Sequence, residues 1–186
     1  LSHDQVKKRP FIVSIAGVSG GGKTTVSKRL SEKLVNTEVI HFDTYDVEGP
    51  DDIFDWVSRG ASYDEWNLDA IIKDLYVHTS NEWNYIILDY PFAYEHMQMG
   101  KWIDLAIFID TPLDIALARR MLRDFRKSTC ASMLKDMENY LTRGRTGYLE
   151  MLKTIKPGSD RVINGALSIE KIVAEIEVEI YSRNTF

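Results

Sequence analysis

The sequence predicts an α/β fold in which five strands form a mostly parallel sheet with helices on both faces. Three observations carry that expectation. Short β-branched runs recur along the chain, apolar residues at helical spacing separate most of them, and no repeat, low-complexity tract or linker interrupts the alternation.

The first run, "FIVSIA" from Phe11 to Ala16, ends at a glycine and suits a strand buried on both faces. A helix follows, because Val26, Leu30 and Leu34 recur at i, i+4 and i+8 while Ser27, Lys28, Arg29, Glu32 and Lys33 cover the other side. "VIHF" (Val39 to Phe42), "YIIL" (Tyr85 to Leu88), "LAIFI" (Leu105 to Ile109) and "RVI" (Arg161 to Ile163) read as the remaining strands. Between them, helices are expected over Tyr63 to Val77, Leu113 to Arg126, Ala131 to Lys153 and Ser168 to Tyr181. Pro112 then falls in a first helical turn and Pro157 just past an end. Thr44 to Ser62, rich in Asp and Gly, has no clear periodicity, and a loop that long in a compact domain points to function.

The 186 residues suit a single domain, 1–186, with the polar stretch 1–9 set apart from the fold. A formal net charge of -5 argues against nucleic acid as a partner. One cysteine, Cys130, and no apolar run near membrane-spanning length fit a reducing cytoplasm and no membrane. Oligomeric state, a homo-oligomer included, stays open.

"GVSGGGKTT", Gly17 to Thr25, matches G-x-x-x-x-G-K-[ST] and lies between the first strand and the first helix. That setting predicts a P-loop NTPase fold. Gly17, Gly20, Gly21 and Gly22 permit a loop whose N–H groups turn inward, with Ser19 and Thr25 beside it and the helix N-terminus behind. Lys23 supplies a point charge for the β- and γ-phosphates, and the Thr24 hydroxyl offers an oxygen to Mg²⁺. ATP and Mg²⁺ are the expected cofactors.

Asp43 and Asp89 end the second and third strands at the sheet edge that carries this loop. A carboxylate there can hold Mg²⁺ or take a proton from an acceptor hydroxyl; the alternative for each is a turn or cap role. Asp110 is the better turn or cap residue. In "LARRMLRDFRK", Arg119 and Arg123 share a helix face at i, i+4 and Arg120 neighbours Arg123 at i, i+3, a cluster suited to a transferring phosphoryl group or to a solvated, acid-paired face. Trp56, Trp66, Tyr90, Phe92 and Tyr94 either stack a base or pack the core, and His41, inside an apolar strand, reads as a hydrogen-bonded core residue.

These pieces resemble the uridine kinase and phosphoribulokinase family of P-loop kinases, which includes nicotinamide riboside and pantothenate kinases. The marks are "GVSGGGKTTVSKRL", "DTY" (Asp43 to Tyr45), "FD" (Phe54, Asp55), "RRMLRD" (Arg119 to Asp124) and "SDRVINGALSIEKIV". The resemblance implies ATP-dependent transfer to a hydroxyl of a nucleoside or similar metabolite, beneath a helical lid at roughly 119–145. It makes Asp43 the base, with Tyr45 on the substrate side, and gives Asp89 a metal role. Arg120 and Arg123, and less firmly Arg119, fall on the ATP phosphates, and Asp55 on a ribose hydroxyl pair. The chain departs from the family where "EG" after the third strand becomes Asp89 and Tyr90, and where "FDHP" reads Phe54, Asp55, Trp56, Val57. A nucleotide-binding regulator without an acceptor is the reading from another class. A GTPase is disfavoured, because Asp89 to Phe92 reads "DYPF" and no N-K-x-D occurs.

Overall fold

The structure, a computed structural model, describes residues 9–184. Residues 1–8, part of the stretch set apart from the fold, lie outside the described residues. Arg9, grouped with them, belongs to the fold: its guanidinium meets Asp104 at 2.5 Å.

Five strands, β1 (Phe11–Ala16), β2 (Thr37–His41), β3 (Tyr85–Asp89), β4 (Leu105–Asp110) and β5 (Arg161–Asn164), form one sheet in the order β2-β3-β1-β4-β5. All four pairings are parallel, which sharpens the expected "mostly parallel". The order reverses beside β1, so the crevice where ligands gather in such sheets opens beyond the carboxyl ends of β1 and β3.

The period-2 alternation of strand side chains divides the core in two. Ile12 and Ala16 of β1 face one side; Val13 and Ile15 face the other. The second side is closed by α1 (Lys23–Ser31) through Val26 and Leu30, and by α8 (Ile169–Arg183) through Ile172, Val173, Ile176 and Ile180. The first is closed by α2 (Ile53–Ser58), α3 (Asp69–Thr79), α4 (Met97–Gly100), α5 (Leu113–Asp124) and α7 (Arg145–Gly158), which contribute Trp56, Ile71, Leu75, Met99, Ala116, Met151 and Ile155. α6 (Cys130–Asn139) lies outside the core and joins α7 through a π-helical turn, Tyr140–Gly144. Among the described residues no helix is long and apolar enough to cross a membrane.

Several boundaries differ from expectation for local reasons. Thr44 to Ser62 contains α2, too short to show a period and fixed instead by its cap: the Asp52 carboxylate accepts the N–H groups of Phe54 at 2.8 Å and Asp55 at 3.0 Å. The helix expected from Tyr63 begins at Asp69, after a 3₁₀ turn over Tyr63–Glu65. β2 stops at His41, and Phe42–Thr44 form a 3₁₀ turn rather than the strand end. The single helix expected over Ala131 to Lys153 is broken by the π turn, and Pro157 lies inside the last turn of α7. The proline's missing N–H leaves the carbonyl four residues back, at Lys153, without an intrahelical donor, next to the last carbonyls that every helix end leaves unpaired.

Tyr90 is buried with its ring against Phe42 and Phe92, yet its hydroxyl has no hydrogen-bond partner among the described residues. An unsatisfied buried hydroxyl costs free energy that a phenyl ring does not. Tyr90→Phe should therefore stabilise the fold by about 1 kcal/mol in urea unfolding. A loss of that size would mean that the hydroxyl has a partner.

Candidate active site

The phosphate loop is built by the glycines at positive φ. Gly17 (φ 148°), Gly20 (φ 79°) and Gly22 (φ 99°) take angles that other residues rarely adopt, and Gly22 stands as N-cap of α1. Gly21 differs from its neighbours. Its N–H donates to the Val18 carbonyl at 3.0 Å, its own carbonyl accepts from Thr111 at 2.8 Å, and it is buried away from the cleft. The loop thus spends one of its expected phosphate-side amides on holding its own shape.

A cleft of about 910 Å³ opens over the loop, bordered by Gly17, Ser19, Gly20, Gly22, Lys23, Thr24 and Thr25. Lys23 reaches back to the Val18 carbonyl at 3.3 Å. Although part of the side chain meets the cleft, burial pushes the amine's pKa down and Arg123 adds to this, while Asp89 and Asp43 oppose the shift. An arriving polyphosphate would add to the favourable side of that balance.

Asp43 and Asp89 both reach this cleft. They occupy different environments. Asp43 is exposed on the 3₁₀ turn after β2, held in place where the Thr44 hydroxyl donates to the His41 carbonyl at 2.7 Å and the Tyr45 N–H to the Phe42 carbonyl at 3.1 Å. Asp89, at the end of β3, is buried and accepts from the Thr24 hydroxyl at 2.6 Å. His41 Nδ1 lies 3.0 Å from the same Asp89 oxygen, so this histidine is hydrogen-bonded as expected but belongs to the site rather than the core. The hard oxygens of Thr24, Asp89 and Asp43 fit Mg²⁺, which binds through few protein groups and completes its shell with phosphate and water.

The arginines divide by helix geometry. Arg119 and Arg123, one turn apart, line the cleft, and Arg123 extends to Ser19 Oγ at 3.5 Å while pairing with Asp124 at 2.6 Å. Arg120, expected on the phosphates, is rotated off that face. It pairs with both carboxylate oxygens of Asp136 on α6, at 3.1 and 2.5 Å, beneath the Tyr140 ring, and this hydrogen bonding raises its pKa. The face shared by residues four apart was readable in the sequence and favours Arg119 over Arg120.

Two further expectations move away from the cleft. Tyr45 packs against the core and donates its hydroxyl to Asp74 at 2.8 Å, and burial with this bond pushes its pKa up to about 12. Asp55 projects from α2 to the Arg59 guanidinium at 2.7 Å, beside Gly49 and Glu65 in a separate shallow pocket. The reason is the cap at Asp52, which starts α2 and sets Asp55 on its outer face.

Elsewhere the cleft wall is aromatic and apolar, with Phe42, Trp66, Pro91 and Phe92 joined by Met151 of α7, while Tyr148 of the same helix lines it beside Ser19 of the loop. Phe92 stands 5.6 Å from Phe42 and 5.1 Å from Trp66 between ring centres. Of the other aromatic candidates, Trp56 and Tyr90 are core, and Tyr94 is tied to Asp160 at 2.5 Å. Tyr148 and Met151 escaped the sequence reading. Their spacing with Ile155 (148, 151, 155) looks like an ordinary core stripe, and only Ile155 is fully buried.

Comparison with known proteins shows what the whole chain is similar to. A family model described as "AAA domain" matches residues 13–143. The uridine kinase of Halalkalibacterium halodurans is 27% identical over 93% of this chain and 96% of its own length. That of Deinococcus deserti is 27% identical over 83% and 87%. Among solved structures, a possible uridine kinase from Bacillus stearothermophilus superposes with a TM-score of 0.55 at 15% identity, covering 84% of this chain and 90% of that one. Deoxyadenosine kinase from M. mycoides gives 0.55 at 16%, covering 92% and 100%. Such structural likeness shows the fold. With the family match extending over more than half of its length, the chain belongs to the AAA domain family, and it is similar to the uridine kinases.

Proposed function

We propose that this chain transfers the γ-phosphoryl group of ATP to a hydroxyl of a nucleoside, uridine- or cytidine-like, or of a similar small metabolite. The observation that carries the reading is one cleft with two unlike ends: a phosphate loop with Lys23, Arg119 and Arg123, and an aromatic slot, with Asp43 and Asp89 also on its walls. The nicotinamide riboside, pantothenate and nucleoside monophosphate acceptors are the competing choices. Among the described residues lining the cleft, the only cations are Lys23, Arg119 and Arg123. Arg123 reaches Ser19 of the phosphate loop, and Lys23 and Arg119 stand at the same end. That favours a flat acceptor without a phosphate or carboxylate of its own.

In this reading the loop amides and Lys23 hold the β- and γ-phosphates, and Arg119 and Arg123 balance the charge that spreads over the γ-oxygens during transfer. Asp43, exposed and without a short-range ion pair among the described residues, takes the proton from the acceptor hydroxyl as its oxygen attacks phosphorus. The bond from phosphorus to the bridging oxygen breaks, and ADP leaves with that electron pair. Thr24 and Asp89 would hold Mg²⁺ arriving with the nucleotide, and the ion would neutralise phosphate charge. Tyr148 and Met151 add ring and thioether surface to the cleft wall, which limits water around the reacting groups. A soluble compartment that supplies ATP suits the activity.

The test is ADP release from Mg-ATP with a panel of uridine, cytidine, nicotinamide riboside, pantothenate and uridine monophosphate. Turnover is expected with a nucleoside and not with the two anionic acceptors. Folded, ATP-binding protein that turns over none of them would favour the regulator instead.

A further inference from the structure

In the parallel β2–β3 ladder His41 stands directly opposite Asp89. Paired residues in neighbouring strands project to the same face, so the register itself brings imidazole and carboxylate together. Asp89 is nearly closed off from solvent, whereas His41 remains about one-third open, with 6% and 34% of their side chains exposed. A buried carboxylate needs donors.

Among the described residues it has two, and both converge on Oδ2: the Thr24 hydroxyl at 2.6 Å and His41 Nδ1 at 3.0 Å. An ionised carboxylate only accepts, so the proton in each bond belongs to the partner. Two consequences follow from that direction. Thr24 spends its hydrogen on Asp89 and keeps its oxygen lone pairs for another ligand. Asp89 keeps Oδ1 free of both bonds, with its carboxylate plane fixed by two donors on the other oxygen. Without His41, Thr24 alone would hold the carboxylate, and a single hydrogen bond leaves rotation about the terminal torsion open.

We propose that His41 is a positioning residue for the metal side of the cleft. Its Nδ1–H pins Asp89, and through Asp89 it aims the Thr24 oxygen, so that Mg²⁺ arriving with a nucleotide meets a preset pair of oxygens. The inference rests on the reading of Thr24 and Asp89 as metal-side groups. The loop, Lys23 and the arginines hold phosphates without it.

The test measures how much Mg²⁺ is needed for binding of a nonhydrolysable ATP analogue, alongside binding of the same analogue in EDTA. Replacing His41 by Leu or Gln removes the donor at the Nδ1 position, since the Gln amide extends to where Nε2 lies. Asn places its amide N–H at Nδ1. His41→Leu and His41→Gln should raise the half-saturating Mg²⁺ concentration by about tenfold. Binding in EDTA should be unchanged, and His41→Asn should stay near the parent protein. A uniform loss with and without Mg²⁺ would overturn the proposal, and so would His41→Asn behaving like His41→Gln while both melt with the parent. If His41→Leu fails to fold, the Asn and Gln pair still decides. Acceptor turnover plays no part in the readout, so failure of the kinase reading would show in the acceptor panel and not here.

Discussion

Asp43→Asn should leave ATP binding intact and lower kcat by about 10²–10⁴. Asn is nearly the same size and can fill the same place on the Phe42–Thr44 turn, whose shape is held by backbone and Thr44 contacts rather than by the Asp43 carboxylate. What disappears is the capacity to take a proton. Steady-state kinetics with the acceptor found in the panel, together with isothermal titration of ATP, separate the two effects. Retention of kcat within about tenfold would move the base elsewhere, and Asp89 is poorly placed to inherit the role because Thr24 and His41 already donate to it. The same substitution distinguishes a kinase from a regulator, since a regulator loses nothing with that proton acceptor.

Lys23→Ala should weaken transfer by about 10²–10³ in kcat, the usual effect of removing one preorganised charge from a phosphoryl-transfer site. The cause lies in the half-buried setting that pushes the amine's pKa down: a group desolvated in advance interacts strongly with phosphate and has little water to lose. Lys23→Arg should rescue little, because a planar fork is longer and wider than an ammonium, and Val18 carbonyl and the loop leave room for a point donor. The check is kcat and KM for ATP in both variants at fixed Mg²⁺. An alanine variant with near-parent kcat would mean that Arg119 and Arg123 carry the charge alone.

Most of the fold was legible because its strands are short, continuous and apolar, and because the glycine loop could only stand between a strand and a helix. The six-residue α2 was not, since its start depends on one aspartate bonding two amides, a feature without a period. In the site, loop and acids followed from local spacing. Arg120 and Asp55 did not, because each is claimed by a partner: Asp136 lies on another helix, sixteen residues on, and Arg59 takes Asp55 at i, i+4. Tyr148 and Met151 arrive from far along the chain to complete the slot. His41 shows the same limit in reverse. Its neighbours along the chain suggest core, and only the β2–β3 register reveals the acid beside it.

Gly20 has a further meaning. A side chain there would run into the Ala116 carbonyl and come within 3.2 Å of Arg120 Cβ, so the phosphate loop and the first turns of α5 touch backbone to backbone. The anion seat and the platform of Arg119 and Arg123 are thereby gauged against each other without any side chain acting as spacer. The tolerance between them is that of a peptide group and not of a rotamer. A replacement at Gly20 would damage more than the loop, because it would also misalign the arginines.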